Sequence, residues 1–195
     1  LDLALGFLLT EGVISGAADV AAACDLDGVR TLVDVGGGNG TLLAAFLAAH
    51  PGLHGILFDL PDGIGDAARV LPPGAEIVTG DVFEAVPAAD AHVLKSVLHD
   101  WPDERAVAVL RSVRAAMPER GRLFVVEPTL PADPAALPDA YVTLMSDLNM
   151  LVCTGGRERT SAEFAELLAA AGLVLTDERP LPPPSSYRVL RAVPA

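Results

Sequence analysis

Two rhythms of apolar and polar residues alternate along the chain. Short aliphatic or β-branched runs end abruptly in Gly, Asp or Pro, and each is followed by a longer segment whose apolar residues recur every three or four positions. The run "RTLVDV" (30–35) stops at three glycines, and "NGTLLAAFLAAH" (39–50) has the Leu/Ala/Phe spacing of a packed helix, closed by Pro51 and Gly52. The pattern then predicts a strand over 54–60, a helix over about 62–70, and strands over 75–80 and 90–98. Residues 102–117 predict a helix with Pro102 at its start, acids in the first turn and Arg111 and Arg114 in the last, the order that the helix dipole favours. The next strand is "GRLFVVEP" (121–128).

Strands that alternate with helices of this length predict a parallel sheet covered on both faces. A Pro/Ala-rich loop over 128–138 leads to a Met- and Leu-bearing helix over about 139–152, and "TGGRER" (154–159) reads as a turn. Thr160 and Glu163 have capping-box spacing, with Phe164, Leu167 and Leu168 on one face of the helix that follows. "GLVLTDE" and "YRVLRAV" read as a final hairpin, with Pro182 to Pro184 as a stiff connection. At the front, residues 13–24 are Ala-rich and helical, and "LDLALGFLLTEG" reads as the tail of a helix without its beginning. The expectation is therefore one α/β domain over 25–195, preceded by a remnant of linker helices over 1–24.

Composition narrows the partners. At 195 residues and 51% hydrophobic, the chain suits one α/β domain with a real core. Its formal charge of -13 repels phosphate backbones and anionic lipid, which argues against nucleic acid and membrane surfaces. Cys24 and Cys153 have no metal-ligand or disulfide-framework spacing, so no metal is expected and a reducing, cytoplasmic compartment is. The apolar runs fall short of a membrane span, and no signal peptide is recognised.

Candidate chemistry begins at "VDVGGGNG". Gly36, Gly38 and Gly40 between a strand and a helix let a ligand approach main-chain amides closely. A dinucleotide fingerprint G-x-G-x-x-G counted from Gly36 fails at Thr41, which opposes an NAD enzyme. Asp34, before the glycines, would repel a pyrophosphate and welcome an ammonium or sulfonium. Asp59 closes the second strand, where α/β nucleoside binders place a carboxylate for the ribose hydroxyls, and Asp81 in "GDVF" follows the third, beside Val82 and Phe83. Any one of these Asp residues, taken singly, is better read as a cap or turn residue. Three at successive strand ends point to a cationic nucleoside.

The ordered motifs "LVDVGGGNG", "FDLP", "GDVF", "LKSVLHDW", "VEP" and "GGRERT" closely resemble the S-adenosylmethionine-dependent O-methyltransferases of the caffeate and hydroxyindole type, in the form bacteria use for natural-product tailoring. The resemblance covers about residues 25–195. It implies a Rossmann-like class I methyltransferase fold, a mostly parallel seven-stranded sheet with helices on both faces and a final antiparallel strand. It implies that the glycine loop holds the methionine end of the cofactor, that Asp59 and Leu60 take the ribose, and that Asp81, Val82 and Phe83 flank the adenine with Lys95 and Ser96 opposite. It implies His99 as catalytic base with Glu127 and Glu158 around it, and S-adenosylhomocysteine as product. Such proteins carry a helical N-terminal domain that dimerises them and helps to close the substrate pocket. Most of that domain is not recognisable here.

Methyl transfer from a sulfonium needs a nucleophile held in line, and a base that takes a phenol proton adds roughly 10²- to 10⁴-fold. Histidine suits that task when a carboxylate holds its second nitrogen. His50, His54 and His92 lack such a pattern, and His54 and His92 fall near strand starts. Met145, Asn149 and Met150 could line a substrate pocket, although core packing serves the two Met residues equally. Trp101 reads as packing against the following helix. The leading expectation is O-methylation of a phenolic or enolic hydroxyl of a small secondary metabolite. The alternatives are a cofactor-binding module of the same fold that transfers no methyl group, and a truncated non-catalytic partner.

Overall fold

The computed structural model describes residues 16–133, 135–136 and 140–195. In chain order the elements are α1 (Ala17–Ala23), β1 (Thr31–Val35), α2 (Thr41–Ala49), β2 (His54–Asp59), α3 (Ala67–Val70), β3 (Glu76–Thr79) and β4 (Ala91–Lys95). After β4 come a 3-10 turn (Leu98–Asp100), α4 (Asp103–Ala116), β5 (Arg122–Leu130), α5 (Tyr141–Cys153), β6 (Arg159–Thr160), α6 (Ser161–Ala170), β7 (Leu173–Pro180) and β8 (Tyr187–Pro194). The expected reading of residues 1–15 lies outside the described residues.

The main sheet runs β3-β2-β1-β4-β5-β8-β7, with the first five strands parallel and β8 antiparallel to both neighbours. This is the seven-stranded, mostly parallel arrangement that the motifs imply. The short β6 joins β5 at Thr129 and Leu130, so the turn expected at 154–159 ends in an added strand that carries Arg159. The expected strand over 90–98 stops at Lys95, because Ser96 takes a left-handed φ of 55° and the chain then folds into the 3-10 turn. Likewise the helix expected over 62–70 forms only from Ala67, since "PDGIG" with its positive-φ Gly65 makes turns.

Strand alternation sends successive side chains to opposite faces. Val33, Val35, Phe58, Leu94 and Val125 pack under α4 and α6, while Leu32, Leu57, Val93, Phe124 and Val126 pack under α1 and α2. Val20 and Ala21 of α1 are buried in that second core together with Leu43 and Phe46. Strand order reverses between β1 and β4. In an open sheet the crevice at the carboxyl ends of such a pair is the natural ligand site. Among the described residues no helix is long and apolar enough to cross a membrane, and no group of three His, Cys, Asp or Glu side chains has a metal-holding arrangement.

Candidate active site

A cavity of about 380 Å³ opens at that reversal. Its walls include Val35 and Gly36 from the end of β1, Phe58, Asp59 and Leu60 from β2, Asp81, Val82 and Phe83 after β3, and Ser96 and Val97 after β4. Gly36 has φ 70°, and a Cβ there would lie 2.8 Å from Val97 Cγ2, so both conformation and space require glycine. The expected residues Gly36, Asp59, Leu60, Asp81, Val82, Phe83 and Ser96 thus share one cavity.

The other four expected cofactor residues lie behind this wall. Gly38 donates its N–H to Asp59 Oδ2 at 2.8 Å, and Gly40 is the left-handed N-cap of α2. Asp59 Oδ1 accepts from Leu60 N at 2.7 Å, so this carboxylate orders the loop as well as facing the cavity. Asp81 Oδ1 accepts from Phe83 N at 2.8 Å, the local turn bond that a lone Asp makes. Lys95 is not among the lining residues; its Nζ lies 4.7 Å from the Tyr187 ring centroid and 3.5 Å from Ser96 Oγ, and burial lowers its pKa despite the opposing pull of Glu127 and Asp34. Asp34 is buried with Oδ2 unpartnered. Burial pushes its pKa up to about 7, against the Leu43 amide and the Lys95 charge.

Trp101 packs against the helix that follows it, through Arg105, whose Cζ is 4.9 Å from the indole centroid. It also does more than scaffold. Its ring meets Phe83 edge-on at 4.9 Å and 88°, Arg105 lies 3.7 Å over Phe83, and all three line the cavity with Asp100. Sequence reasoning missed Asp100 and Arg105 here and assigned Trp101 to packing alone. The available signal was two aromatics, Phe83 and Trp101, beside otherwise polar strand ends in a chain only 5% aromatic.

His99 lies in the 3-10 turn between the cavity residues Val97 and Asp100 and is 5% exposed. Its Nδ1 is 3.0 Å from Glu158 Oε1 and 3.5 Å from Glu127 Oε2, and both carboxylates are fully buried. A carboxylate can only accept, so Nδ1 carries the proton that it donates to Glu158. The second nitrogen, Nε2, faces Asp100 Oδ1 at 3.9 Å. Burial alone would lower the imidazole pKa, but Glu127, Glu158 and Asp100 outweigh it and raise the value to about 9. Burial also raises the Glu127 pKa, with His99 opposing.

The two carboxylates are held in different ways. Glu127 Oε1 accepts from the Val97 and Leu98 amides at 2.9 and 2.8 Å, which ties β5 to the turn. Glu158 Oε1 also accepts from Ser146 Oγ at 2.7 Å, and the Glu158 amide donates to Asp147 Oδ1 at 2.8 Å, so α5 fixes its position. Met145 and Asn149 on the same helix are half-buried and do not line the cavity, and Asn149 Oδ1 accepts from Cys153 Sγ at 3.4 Å. Met150 is 6% exposed, the core alternative for that residue. His54 begins β2 and His92 lies near the start of β4, at the opposite end of the sheet.

A doubly wound sheet with a crevice at its reversal, and a buried His-carboxylate cluster beside it, defines a class of ligand-binding α/β domain. The chain belongs to the O-methyltransferase domain family, whose model it matches over residues 8–174. It is 45% identical over 178 residues to O-demethylpuromycin-O-methyltransferase of Streptomyces alboniger, covering 87% of this chain and 46% of the relative. With caffeic acid 3-O-methyltransferase of Zea mays it shares 44% identity over 147 residues, 75% of this chain and 40% of the relative. Among solved structures, mitomycin 7-O-methyltransferase MmcR aligns with a TM-score of 0.84 at 40% identity, over 92% of this chain and 53% of that one. The O-methyltransferase NcsB1 from neocarzinostatin biosynthesis, in complex with S-adenosylmethionine and 2-hydroxy-5-methyl naphthoic acid, aligns at 0.78 and 37%, over 90% and 52%. The chain spans about half the length of the curated relatives it matches.

Proposed function

We propose that this domain transfers a methyl group from S-adenosylmethionine to a phenolic or enolic hydroxyl of a small aromatic secondary metabolite, with His99 as general base and without a metal. The observation that carries this reading is the pairing of His99 Nδ1 with Glu158 at 3.0 Å beside the cavity that collects Gly36, Asp59 and Asp81. The cavity suits the cofactor: Asp59, Asp81 and Asp100 favour a cationic nucleoside, Gly36 admits it close to the backbone, and Asp34 keeps a buried carboxylate oxygen unpartnered nearby. When bound, S-adenosylmethionine supplies an activated methyl group on a sulfonium.

The residues of the chain do the rest. Asp59 would accept from the ribose hydroxyls, and Asp81, Val82 and Phe83 would flank the adenine with Lys95 and Ser96 on its other side. His99 Nε2 takes the hydroxyl proton as the oxygen becomes nucleophilic, and Glu158 and Glu127 stabilise the imidazolium that results. A base with pKa about 9 is well matched to a phenol near 10, so the proton passes at little cost. The opposing effect is that such a base is mostly protonated at neutral pH.

Met145 and Asn149 of α5 would contact the acceptor. The expected homodimer, the cytoplasmic setting and the division into a 1–24 linker and a 25–195 catalytic domain belong to the same proposal. Calorimetric titration with S-adenosylmethionine, followed by a screen of phenolic acceptors with mass detection, tests it. Saturable binding and a product heavier by one methyl group are expected. Binding without any methylated product would favour the module that uses the same fold without transfer.

A further inference from the structure

The segment Gly156–Arg159 grips the turn that carries His99. Arg157 N donates to the His99 carbonyl at 2.9 Å, and a Cβ at Gly156 would overlap that same carbonyl oxygen, so the two backbones are in direct contact. Arg159 follows, with a side chain that is fully buried. A guanidinium has five N–H donors in a fixed plane. Here Nη1 donates to Leu98 O at 3.0 Å and to Arg157 O at 3.3 Å, Nη2 to Trp101 O at 2.7 Å and to Asp103 Oδ1 at 2.8 Å, and Nε to Asp103 Oδ1 at 3.0 Å.

Every donor is therefore used, and two of the acceptors bracket His99 in the chain. We propose that Arg159 is a positioning residue for the base: it locks the 98–101 turn from both sides and sets the imidazole against Glu158, which the same segment carries. This inference rests on the proposed role of His99. A surface ion pair with Asp103 would need neither full burial nor two main-chain carbonyls. The geometry also explains why lysine is not an equivalent. Its ammonium has three donors and no plane, so it cannot span Leu98 O, Trp101 O and Asp103 together.

The test is Arg159→Lys in the full chain, followed by NMR titration of the four histidines and by steady-state kinetics. The expected result is a native far-UV spectrum, a His99 titration midpoint moved by about one unit or more toward 6.5, and His50, His54 and His92 unchanged. With an acceptor found in the screen, kcat should fall at least about tenfold and the acceptor KM should change little. A lowered melting temperature with His99 titrating as in the parent would overturn the inference. Should the Lys variant fail to fold, Asp103→Asn loosens the guanidinium anchor at a half-exposed position; because Asp103 also pairs with the Arg157 side chain, the readout is hydrogen exchange at the Trp101 amide, which donates to Leu98 O within the turn and should quicken. Unchanged protection of that amide would count equally against it. If the parent methylates nothing, the functional reading fails, while titration and exchange still decide the role of Arg159.

Discussion

The cofactor cavity and the His99 cluster lie side by side yet are built by different means. The walls of the cavity come from four strand ends, but each is shaped by local backbone chemistry: Gly36 turns with a positive φ, Asp81 bonds an amide two residues on, and Asp59 bonds the amide next to it. The cluster is made by distant pieces. His99 comes from the turn after β4, Glu127 from β5, Glu158 from the segment before β6 and Ser146 from α5. A site built locally tolerates the loss of one contact by a graded weakening. A buried charge cluster does not, because removing one member leaves the others unpaired in a low dielectric.

The largest expected effect falls on the cluster. His99→Ala should lower kcat by roughly 10²- to 10⁴-fold with S-adenosylmethionine affinity unchanged, as measured by steady-state kinetics and calorimetry. The parent supplies a second readout. With the folded pKa of His99 at about 9, the base form grows as pH rises, so kcat/KM should climb from neutral pH toward about 9 and then level. The residual rate of the Ala variant should lack that limb. A parent profile already flat at pH 7 would show that the carboxylates do not hold the proton on His99 during turnover.

The next effect falls on the cavity. Asp59→Ala should weaken S-adenosylmethionine binding by roughly 10- to 100-fold, the worth of charge-assisted hydrogen bonds. It should leave kcat nearly unchanged at saturating cofactor, the reverse of the His99 variant. Gly38 N and Leu60 N lose their acceptor at the same time, so a modest drop in melting temperature is also expected. A fall in kcat comparable to that of His99→Ala would mean that the two regions act as one unit.

This contrast also explains what was legible in the sequence. The cavity follows from spacing, since glycines and acids at strand ends are fixed by the chain itself, and the parallel sheet follows from the alternation of apolar runs. The proposed catalytic trio was reached only through its motifs, because nothing else in the sequence brings Glu127 and Glu158 within 3.5 Å of His99 Nδ1. Arg159 was read as part of a turn, although the structure buries it completely, because three of its five hydrogen bonds go to main-chain carbonyls, which carry no sequence signature, and the other two to an Asp103 that is 56 residues away. Lys95, expected at the adenine, lies over the Tyr187 ring beside the cavity residue Ser96, and the position of Tyr187 depends on the antiparallel return of β8. Side-chain direction at a strand end depends on its neighbours in the sheet, and strand order is a tertiary fact.

The smallest expected effect asks whether Asp34 belongs to the cavity or only to the core behind it. Burial holds its pKa at about 7, so in the free protein the carboxyl is about half protonated at neutral pH. A cation bound nearby favours the carboxylate and expels that proton. Affinity for S-adenosylmethionine should therefore rise with pH through about 7 and level above it, a change of a few-fold between pH 6 and pH 8, since one titrating group can alter affinity by at most about tenfold per pH unit. S-adenosylhomocysteine, which lacks the sulfonium charge, should depend on pH less steeply, and Asp34→Asn should flatten both curves. Calorimetry at several pH values measures all three. Equal slopes for the two ligands would place the Asp34 charge out of reach of the sulfonium, and the acid before the glycines would then serve the fold through its bond to the Leu43 amide.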